Sequence, residues 1–242
     1  MSRYKITGNL LKFSLLVFIA AALGGCLKSG SSSSSNANDL SFVTLMNMAP
    51  YSSSTSVYFN NVIQTGTVGA GSYSTSYGQI PPGTYDVQFR VAGSDSVLSD
   101  LGTSVYDSLG FYTVVLYNPT ASSAVSSMKI TDDFSTLSLS SANYRFFNFC
   151  PDAPSVDLVF NTSVMQNGRT VGDNANSYYL NVFQNLTPGI YSITARKAGT
   201  DSVIATLNSV NLTAANAYTI FLMGSTKNTS NPVSLNVLTA SY

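Results

Sequence analysis

The side chains that could carry acid–base or nucleophilic chemistry are few in this chain. It has no His and no Trp, and all eleven of its acidic residues are Asp. The lack of His excludes a Ser-His-Asp or Cys-His site and removes the commonest metal ligand. Asp132 and Asp133 are adjacent, so on a strand they point to opposite faces and cannot act as a catalytic pair. We therefore predict a non-enzymatic protein without a cofactor or metal.

Two arginines are candidates for ligand contact. Arg90 and Arg196 occupy equivalent places in two similar stretches, PGTYDVQFRVAGSDSV from Pro82 and PGIYSITARKAGTDSV from Pro188. A guanidinium on the outward face of a strand could bind an acidic group through two parallel hydrogen bonds. The alternative, which we favour, is pairing with a local carboxylate such as Asp86 or simple solvation.

Ser96 and Ser202 follow an Asp in the turn that ends each of these stretches. The Asp-Ser-aliphatic triplet, also present at Asp107, resembles the O-glycan acceptor of envelope proteins in some Gram-negative bacteria. The alternative is that the Asp side chain closes the turn, which requires no sugar. We favour the turn and keep both serines as possible O-glycan acceptors.

Two further features favour structural roles. Cys150 corresponds to Ala49 in the first similar stretch, which indicates a small buried residue; a reactive thiol is the alternative. The loop from Asp173 to Asn176 offers several oxygens and could hold Ca²⁺, but it lacks the alternating acidic pattern of a dedicated calcium loop. An ordinary turn is expected there.

The N-terminus predicts a lipid anchor. Arg3 and Lys5 precede an apolar run of eleven residues, 13–23, which is too short to cross a bilayer and is typical of a signal peptide. The following Gly24-Gly25-Cys26 resembles the lipobox of bacterial lipoproteins, in which cleavage between Gly25 and Cys26 precedes acylation of the Cys, including by palmitate. Residues 1–25 are thus predicted as signal peptide.

Residues 26–40 then form the lipidated Cys26 and a Ser-rich linker, whose composition is typical of a flexible tether. Residue 27 is Leu and not the Asp of the inner-membrane retention signal, which favours the outer membrane, on either its periplasmic or its surface face. After cleavage eight basic and eleven acidic residues remain, a net charge of about −3. No basic stripe suits nucleic acid as a partner.

The rest of the chain carries one module twice. Asn47-Met48-Ala49-Pro50 returns as Asn148-Phe149-Cys150-Pro151, and Tyr112–Leu116 returns as Tyr218–Leu222. In each copy apolar and polar residues alternate with a period of two, as at Tyr85–Val91, which predicts strands with one buried face. With about seven short strands per copy, we predict an all-β fold: two tandem immunoglobulin-like β-sandwiches at residues 41–140 and 141–242.

Three stretches resemble a known family, domain of unknown function 4397, which is common in bacterial envelope lipoproteins. They are NFCPDAPSVDLVFN from Asn148, LTPGIYSITARKAGTDSV from Leu186 and AYTIFLMG from Ala217. The first repeat departs from the pattern at Tyr51-Ser52-Ser53, where the second has Asp152-Ala153-Pro154. The resemblance implies a β-sandwich in an extracytoplasmic setting and no established activity.

These observations predict a non-catalytic, lipid-anchored cell-envelope protein whose two β-sandwiches serve adhesion, glycan binding or protein binding. The alternative is a structural spacer or assembly component of a surface complex. A binding module would be expected to expose a cluster of Tyr or Phe on one face, whereas a spacer would not.

Overall fold

The computed structural model describes residues 40–175 and 182–240. The regular structure there consists of strands and one short 3-10 helix, Val171–Ala175. The first repeat contains β1 (Ser41–Asn47), β2 (Thr55–Phe59), β3 (Val62–Ile63), β4 (Ser72–Tyr73), β5 (Gly78–Ile80), β6 (Gly83–Val91), β7 (Val97–Tyr106), β8 (Phe111–Tyr117) and β9 (Ser126–Thr131). The second contains β10 (Ala142–Asn148), β11 (Val156–Phe160), β12 (Ser163–Arg169), β13 (Gln184–Leu186), β14 (Gly189–Lys197), β15 (Val203–Leu212), β16 (Ala217–Met223) and β17 (Ser234–Ala240).

Each repeat is built from two sheets. In the first repeat one sheet has the order β4-β1-β8-β9, with β5 also paired to β1, and the other has the order β3-β2-β6-β7. The second repeat follows the same plan, with sheets β13-β10-β16-β17 and β12-β11-β14-β15. The first and eighth strands pair in parallel, as do β10 and β16, and every other named pair is antiparallel. The prediction of an all-β fold with two tandem β-sandwiches is confirmed.

The repeated Pro-Gly-x-Tyr motif has a structural explanation. The ring of Tyr85 lies 3.6 Å from where a Cβ of Gly83 would be, and Tyr191 covers Gly189 in the same way at 3.5 Å. The hydroxyl of Tyr85 donates to the carbonyl of Pro81 at 2.7 Å. A Cβ at either glycine would make ordinary van der Waals contact with the ring. The motif thus gives β6 and β14 the same contact between a tyrosine ring and a glycine at their starts.

The alternating strands have the predicted buried face. Val87 and Phe89 in β6 are buried, and so are Ile193 and Ala195 in β14. The strand that follows, β7, runs from Val97 to Tyr106. Gly102 adopts a positive φ of 70° beside a register shift, so the glycine forms a bulge within the strand and does not end it.

A buried tyrosine near the start of β8 and of β16 closes the sandwich in each repeat. Tyr112 accepts a hydrogen bond from the backbone N–H of Asp107 at 2.9 Å, and Tyr218 accepts one from Thr213 at 2.9 Å. Each bond joins the tyrosine hydroxyl to the backbone a few residues upstream, an arrangement known from immunoglobulin-like sandwiches as the tyrosine corner. Both repeats therefore share this local feature as well as their topology.

Each repeat has a hydrophobic core between its own two sheets. The first core contains Val57, Val87, Phe89 and Val114 among others, and the second contains Leu158, Phe160, Ile193 and Ile220. A third hydrophobic cluster, called here the shared cluster, takes residues from both repeats. Its buried members are Met46, Met48, Val115, Tyr117, Ile130, Phe147, Phe149, Val171 and Phe221.

The shared cluster lies between the outer faces of the two sheets that contain the parallel strand pairs. Val114 and Leu116 of β8 face the first core, while Val115 and Tyr117 face the shared cluster. Both faces of β8 are thus buried, which explains why this strand lacks the apolar–polar alternation of β6. The described residues belong to one compact unit.

The starts of β1, β8, β10 and β16 define one end of the molecule, called here the tether end. Leu40, the first described residue, lies there, and its carbonyl accepts the N–H of Leu109 at 2.8 Å. The opposite end is called the distal end. The repeats touch there too, because the Tyr51 hydroxyl lies 2.8 Å from Ser225 Oγ and 3.3 Å from Asp152 Oδ2.

Nothing in the described part of the chain forms a helix with the length and hydrophobicity needed to span a bilayer. The predicted signal peptide, the cleavage position at Gly25, the lipidation site Cys26 and most of the linker lie outside the described residues.

Candidate functional site

The two arginines predicted as ligand contacts lie at equivalent places on β6 and β14, near the distal end. Arg90 pairs in register with Val97, and Arg196 with Val203. Both lie on the strand face away from the core, as predicted. Their surroundings differ, because the residues beside them are not the same in the two repeats.

Arg90 is fully engaged by its own repeat. Its guanidinium lies over the ring of Tyr58 with a distance of 4.3 Å to the ring centroid. Nη2 donates to Gln88 at 2.7 Å and also to Asn61, and Nη1 lies 3.7 Å from Asp95. The local carboxylate is therefore Asp95 and not Asp86, whose side chain accepts from Gln88 instead. This corrects the partner named from the sequence.

Arg196 has fewer partners and lines a cavity of about 230 Å³ together with Asp157, Val159, Val164, Gly199, Thr200 and Asp201. Its Nη1 donates to Asp201 at 3.2 Å, and the Asp201 side chain is fully exposed. A surface ion pair of this kind is worth at most about 1 kcal/mol. The Nε atom is buried without a hydrogen-bond partner among the described residues. A ligand could therefore replace Asp201 as the partner of Arg196 at small cost.

Asp157 forms the fixed wall of this cavity, called here the Arg196 cavity. Its Oδ1 accepts the N–H of Gly168 and its Oδ2 the N–H of Gly199, both at 2.8 Å. These two bonds hold the carboxylate in place between two loops. The position corresponds to Ser56 in the first repeat, and Val159 corresponds to Tyr58, whose ring lies under Arg90. The first repeat therefore cannot offer the same arrangement.

The turns that carry Ser96 and Ser202 are closed differently from the prediction. The Ser94 hydroxyl accepts the N–H of Ser96 at 3.1 Å, and the Thr200 hydroxyl accepts the N–H of Ser202 at 3.2 Å. Thr200 also donates to the carbonyl of Lys197 at 2.8 Å. The expectation that Asp95 and Asp201 close these turns was wrong, because the preceding hydroxyl residue does so. Both serines are exposed.

Cys150 is buried, as its correspondence with Ala49 predicted. Burial raises the pKa of its thiol to about 12, and Sγ donates to Asp152 at 3.4 Å. The thiolate, the reactive form, is therefore strongly disfavoured at neutral pH.

Asp152 joins the two repeats at the distal end. Its carboxylate accepts the Ser225 hydroxyl at 2.8 Å, the Thr226 N–H at 2.9 Å and the Tyr51 hydroxyl at 3.3 Å. Burial acts to raise the pKa of Asp152, but the hydrogen bonds from Thr226 and Ser225 outweigh it and lower the pKa to about 2. Tyr51 occupies the place of Asp152 in the first repeat, so the sequence departure noted there is part of this contact.

The adjacent pair Asp132 and Asp133 has two different environments just after β9. Asp132 is buried, whereas Asp133 is exposed and accepts hydrogen bonds from the backbone and hydroxyl of Ser135. The two carboxylates thus have separate hydrogen-bond partners. Sequence reasoning missed the role of Asp132, which is to bind a buried arginine.

That arginine is Arg145 of β10. Its Nη2 lies 2.6 Å from Asp132 Oδ1, and its Nε donates to Thr219 at 2.8 Å. Asp132 also accepts the hydroxyls of Thr113 at 2.6 Å and Tyr77 at 2.8 Å. These five residues form a buried polar layer between the repeats. Burial and the Asp132 charge raise the pKa of the Tyr77 hydroxyl, which stays protonated.

The loop at Asp173 forms the short 3-10 helix. Asp173 accepts the N–H of Thr170 at 2.6 Å, and the buried Asn174 donates to the carbonyl of Asn148 at 2.6 Å. The Oδ1 atom of Asn174 is buried without a hydrogen-bond partner among the described residues, and Asn176 lies outside them. The expected turn thus takes the form of a 3-10 helix. The described residues contain no group of three or more metal-ligating side chains.

The aromatic side chains give no exposed cluster in the described part of the chain, where every Tyr and Phe is buried or half-buried. The half-buried ones include Phe111, Phe134 and Tyr77, which contact each other at the tether end with ring centroids 5.2–6.3 Å apart. The exposed aromatic face expected of a binding module is thus absent from the described residues.

Residues 41–159 match the family described as Domain of unknown function (DUF4397). The match covers the whole first repeat and continues through β10 to near the end of β11. This match agrees with the resemblance noted in the sequence: the chain carries a domain of unknown function. No curated protein shows a significant match to the chain.

Proposed function

We propose that the protein is a non-catalytic, lipid-anchored cell-envelope protein that presents its two β-sandwiches for binding, with the Arg196 cavity as the binding site. The anchor is Cys26, and the expected location is the outer membrane. The single observation that carries the binding proposal is the difference between the two equivalent arginines. Arg90 is committed to Gln88, Asn61 and the Tyr58 ring, whereas Arg196 has only a surface pairing with Asp201.

The chemistry of the cavity favours a glycan. Arg196 supplies donors, the carboxylates of Asp157 and Asp201 supply acceptors, and Thr200 supplies a hydroxyl. Val159 and Val164 add apolar surface. A sugar ring presents hydroxyls that both donate and accept, together with C–H faces that pack on apolar side chains. A shallow cavity that mixes donors, acceptors and aliphatic carbon therefore suits such a ring better than a purely acidic ligand.

Arg90, the equivalent arginine of the first repeat, is the matched control for a test of Arg196. We expect Arg196→Met to weaken binding to an envelope glycan identified on an array by about 10-fold or more, because the loss of a charged hydrogen bond costs about 1.5–3 kcal/mol. Arg90→Met should leave the affinity unchanged. The measurement is calorimetric titration of the full chain and both variants. Equal losses in the two variants, or none, would contradict the proposal.

The second candidate is a spacer or assembly component of a surface complex. It is favoured by the shared cluster and the buried polar layer, which join the repeats into one unit, and by the absence of exposed aromatic rings among the described residues. Replacing residues 41–242 by an unrelated β-sandwich pair of similar size distinguishes the candidates. A spacer would keep its cellular role after this exchange, whereas a glycan-binding protein would lose it.

A further inference from the structure

We propose that the tether end of the molecule rests on the bilayer that holds the lipid anchor, so that the Arg196 cavity faces away from the membrane. This inference rests on the proposed function, because it needs the lipid on Cys26. It adds an interaction surface and an orientation that the anchor alone does not determine.

Four of the ten large apolar side chains that are exposed among the described residues lie at the tether end, and two, Val97 and Val203, lie at the distal end. Leu109 is 56% exposed, Val105 53%, Leu139 79% and Ile190 69%. Val105 and Ile190 pair close to the ends of their hairpins, with Thr84 and Asn211 respectively, next to the turns at this end. Leu139 lies in the segment that connects β9 to β10 here. Exposed Pro81 and Pro82 lie in the turn before β6, close to Val105. Both repeats thus present exposed apolar groups at this end of the molecule.

The charged groups are distributed in the opposite way. The exposed lysines Lys197 and Lys227 lie at the distal end, as does the exposed Asp201 beside Arg196. At the tether end the exposed charged residues of the described chain are Asp107 and Asp133, and the half-buried Lys129 donates to the carbonyl of Val105 there. Arg145 is at that end too, but it is buried against Asp132. The tether end thus has more exposed large apolar side chains and fewer exposed charges than the distal end, as expected of a protein that meets a lipid surface with one end.

The position of Leu40 favours the bilayer as the surface that the tether end contacts. From Cys26 to Leu40 the chain spans at most about 50 Å even when fully extended, and it enters the fold at Leu40 beside Leu109. The tether end is therefore the part of the fold that the anchor holds nearest to the membrane. The short link also gives this surface a high effective concentration near the lipid. A weak apolar contact is then enough to set the orientation.

The test places a nitroxide label at single positions of the full, acylated chain reconstituted in phosphatidylcholine vesicles. Leu109→Cys and Leu139→Cys report the tether end, and Val97→Cys and Val203→Cys are matched controls at the distal end, 47% and 58% exposed. Cys150 is buried, so labelling is confined to the introduced thiol. We expect collisions with a water-soluble nickel chelate to be at least about threefold rarer at 109 and 139 than at 97 and 203.

Three other outcomes would contradict the proposal, each in a different way. Vesicles that float with the protein but show equal nickel access at all four positions would exclude membrane contact and leave the anchor intact. A chain that does not float with vesicles would remove the anchor and both proposals. Cleaving the linker at an inserted protease site releases the fold into water. If 109 and 139 stay shielded after release, a second copy of the chain covers this end and the bilayer is the wrong occupant.

Discussion

The guanidinium of Arg145 and the carboxylate of Asp132 are joined at 2.6 Å between Nη2 and Oδ1, and both side chains are buried between the two repeats. Arg145 is further enclosed by the rings of Phe183 and Phe147, at 4.6 and 5.3 Å from their centroids. Because neither charge can reach water, each depends on the other. This pair and the shared cluster join the two sandwiches into one compact unit.

Removing one partner of this pair should be far more costly than removing its exposed neighbour. Asp132→Ala leaves Arg145 buried without a counter-charge, so we expect a loss of about 3–5 kcal/mol in the free energy of unfolding. Asp133→Ala, the matched control, should cost about 1 kcal/mol or less. Urea unfolding followed by circular dichroism gives both values. Similar losses in the two variants would show that the polar layer does not join the repeats.

The second repeat should fold when expressed alone as residues 141–242 but should not stay monomeric. It keeps its own core, yet Phe147, Phe149 and Phe221 lose their cover from the first repeat. We expect self-association in analytical ultracentrifugation and a melting temperature below that of the full chain. Phe147→Asp in the fragment should reduce the association. A monomeric fragment as stable as the full chain would show two independent domains.

The hydroxyl of Thr200 should stabilise the turn after β14. Thr200→Ala removes the hydroxyl that closes the turn, so we expect a loss of about 0.5–1.5 kcal/mol in the free energy of unfolding, the usual scale for one hydrogen bond, whereas Asp201→Ala should cost less. Urea unfolding of the two variants measures both losses.

Intact mass spectrometry tests whether Ser96 and Ser202 carry O-glycans. If they do, the Ser96→Ala, Ser202→Ala double variant isolated from the native host loses the mass of the sugars. We expect the native protein to have its unmodified mass, so that the double variant is lighter only by the two hydroxyl oxygens. A larger difference, equal to the mass of attached sugars, would favour the glycan acceptor.

Acid should weaken the contact between the repeats at the distal end through Asp152. Its folded pKa of about 2 lies below the usual value, so its ionised form stabilises the fold. This contribution is present above the unfolded pKa of about 4 and is lost as the pH falls through about 2. Between pH 4.5 and 2.5 the urea midpoint of the native protein should therefore fall more than that of Asp152→Asn. Equal decreases would contradict the assigned hydrogen bonds.

The parts of the fold that follow from local pattern could be predicted from the sequence. Alternation identified β6 and β14, and the repeated Pro-Gly-x-Tyr motif marked their starts. The face-to-face packing of the repeats could not be predicted, because the run ANYRFFN around Arg145 reads only as a buried strand and does not show what covers its second face. One signal was available, since Arg145 is a single charged residue beside Tyr144, Phe146 and Phe147, and a charge buried there requires a partner.

The candidate site was predicted only in part. The equivalence of Arg90 and Arg196 was visible in the repeat, but their different environments depend on residues from neighbouring strands. Tyr58 lies on β2 and Asp157 on β11, and each reaches its arginine through strand pairing that no local pattern reveals. The same holds for Asp95 and Asp201, whose pairing with the arginines depends on the exact shape of each turn.

The lipid anchor on which the proposed function depends is tested most directly by mass spectrometry of the N-terminal peptide of the protein isolated from native membranes. We expect a mature chain that begins at Cys26 and carries added fatty acyl chains. We also expect Cys26→Ser to block both cleavage and acylation. A mature N-terminus at another residue, or an unmodified Cys26, would contradict the assignment of the protein as a lipid-anchored envelope component.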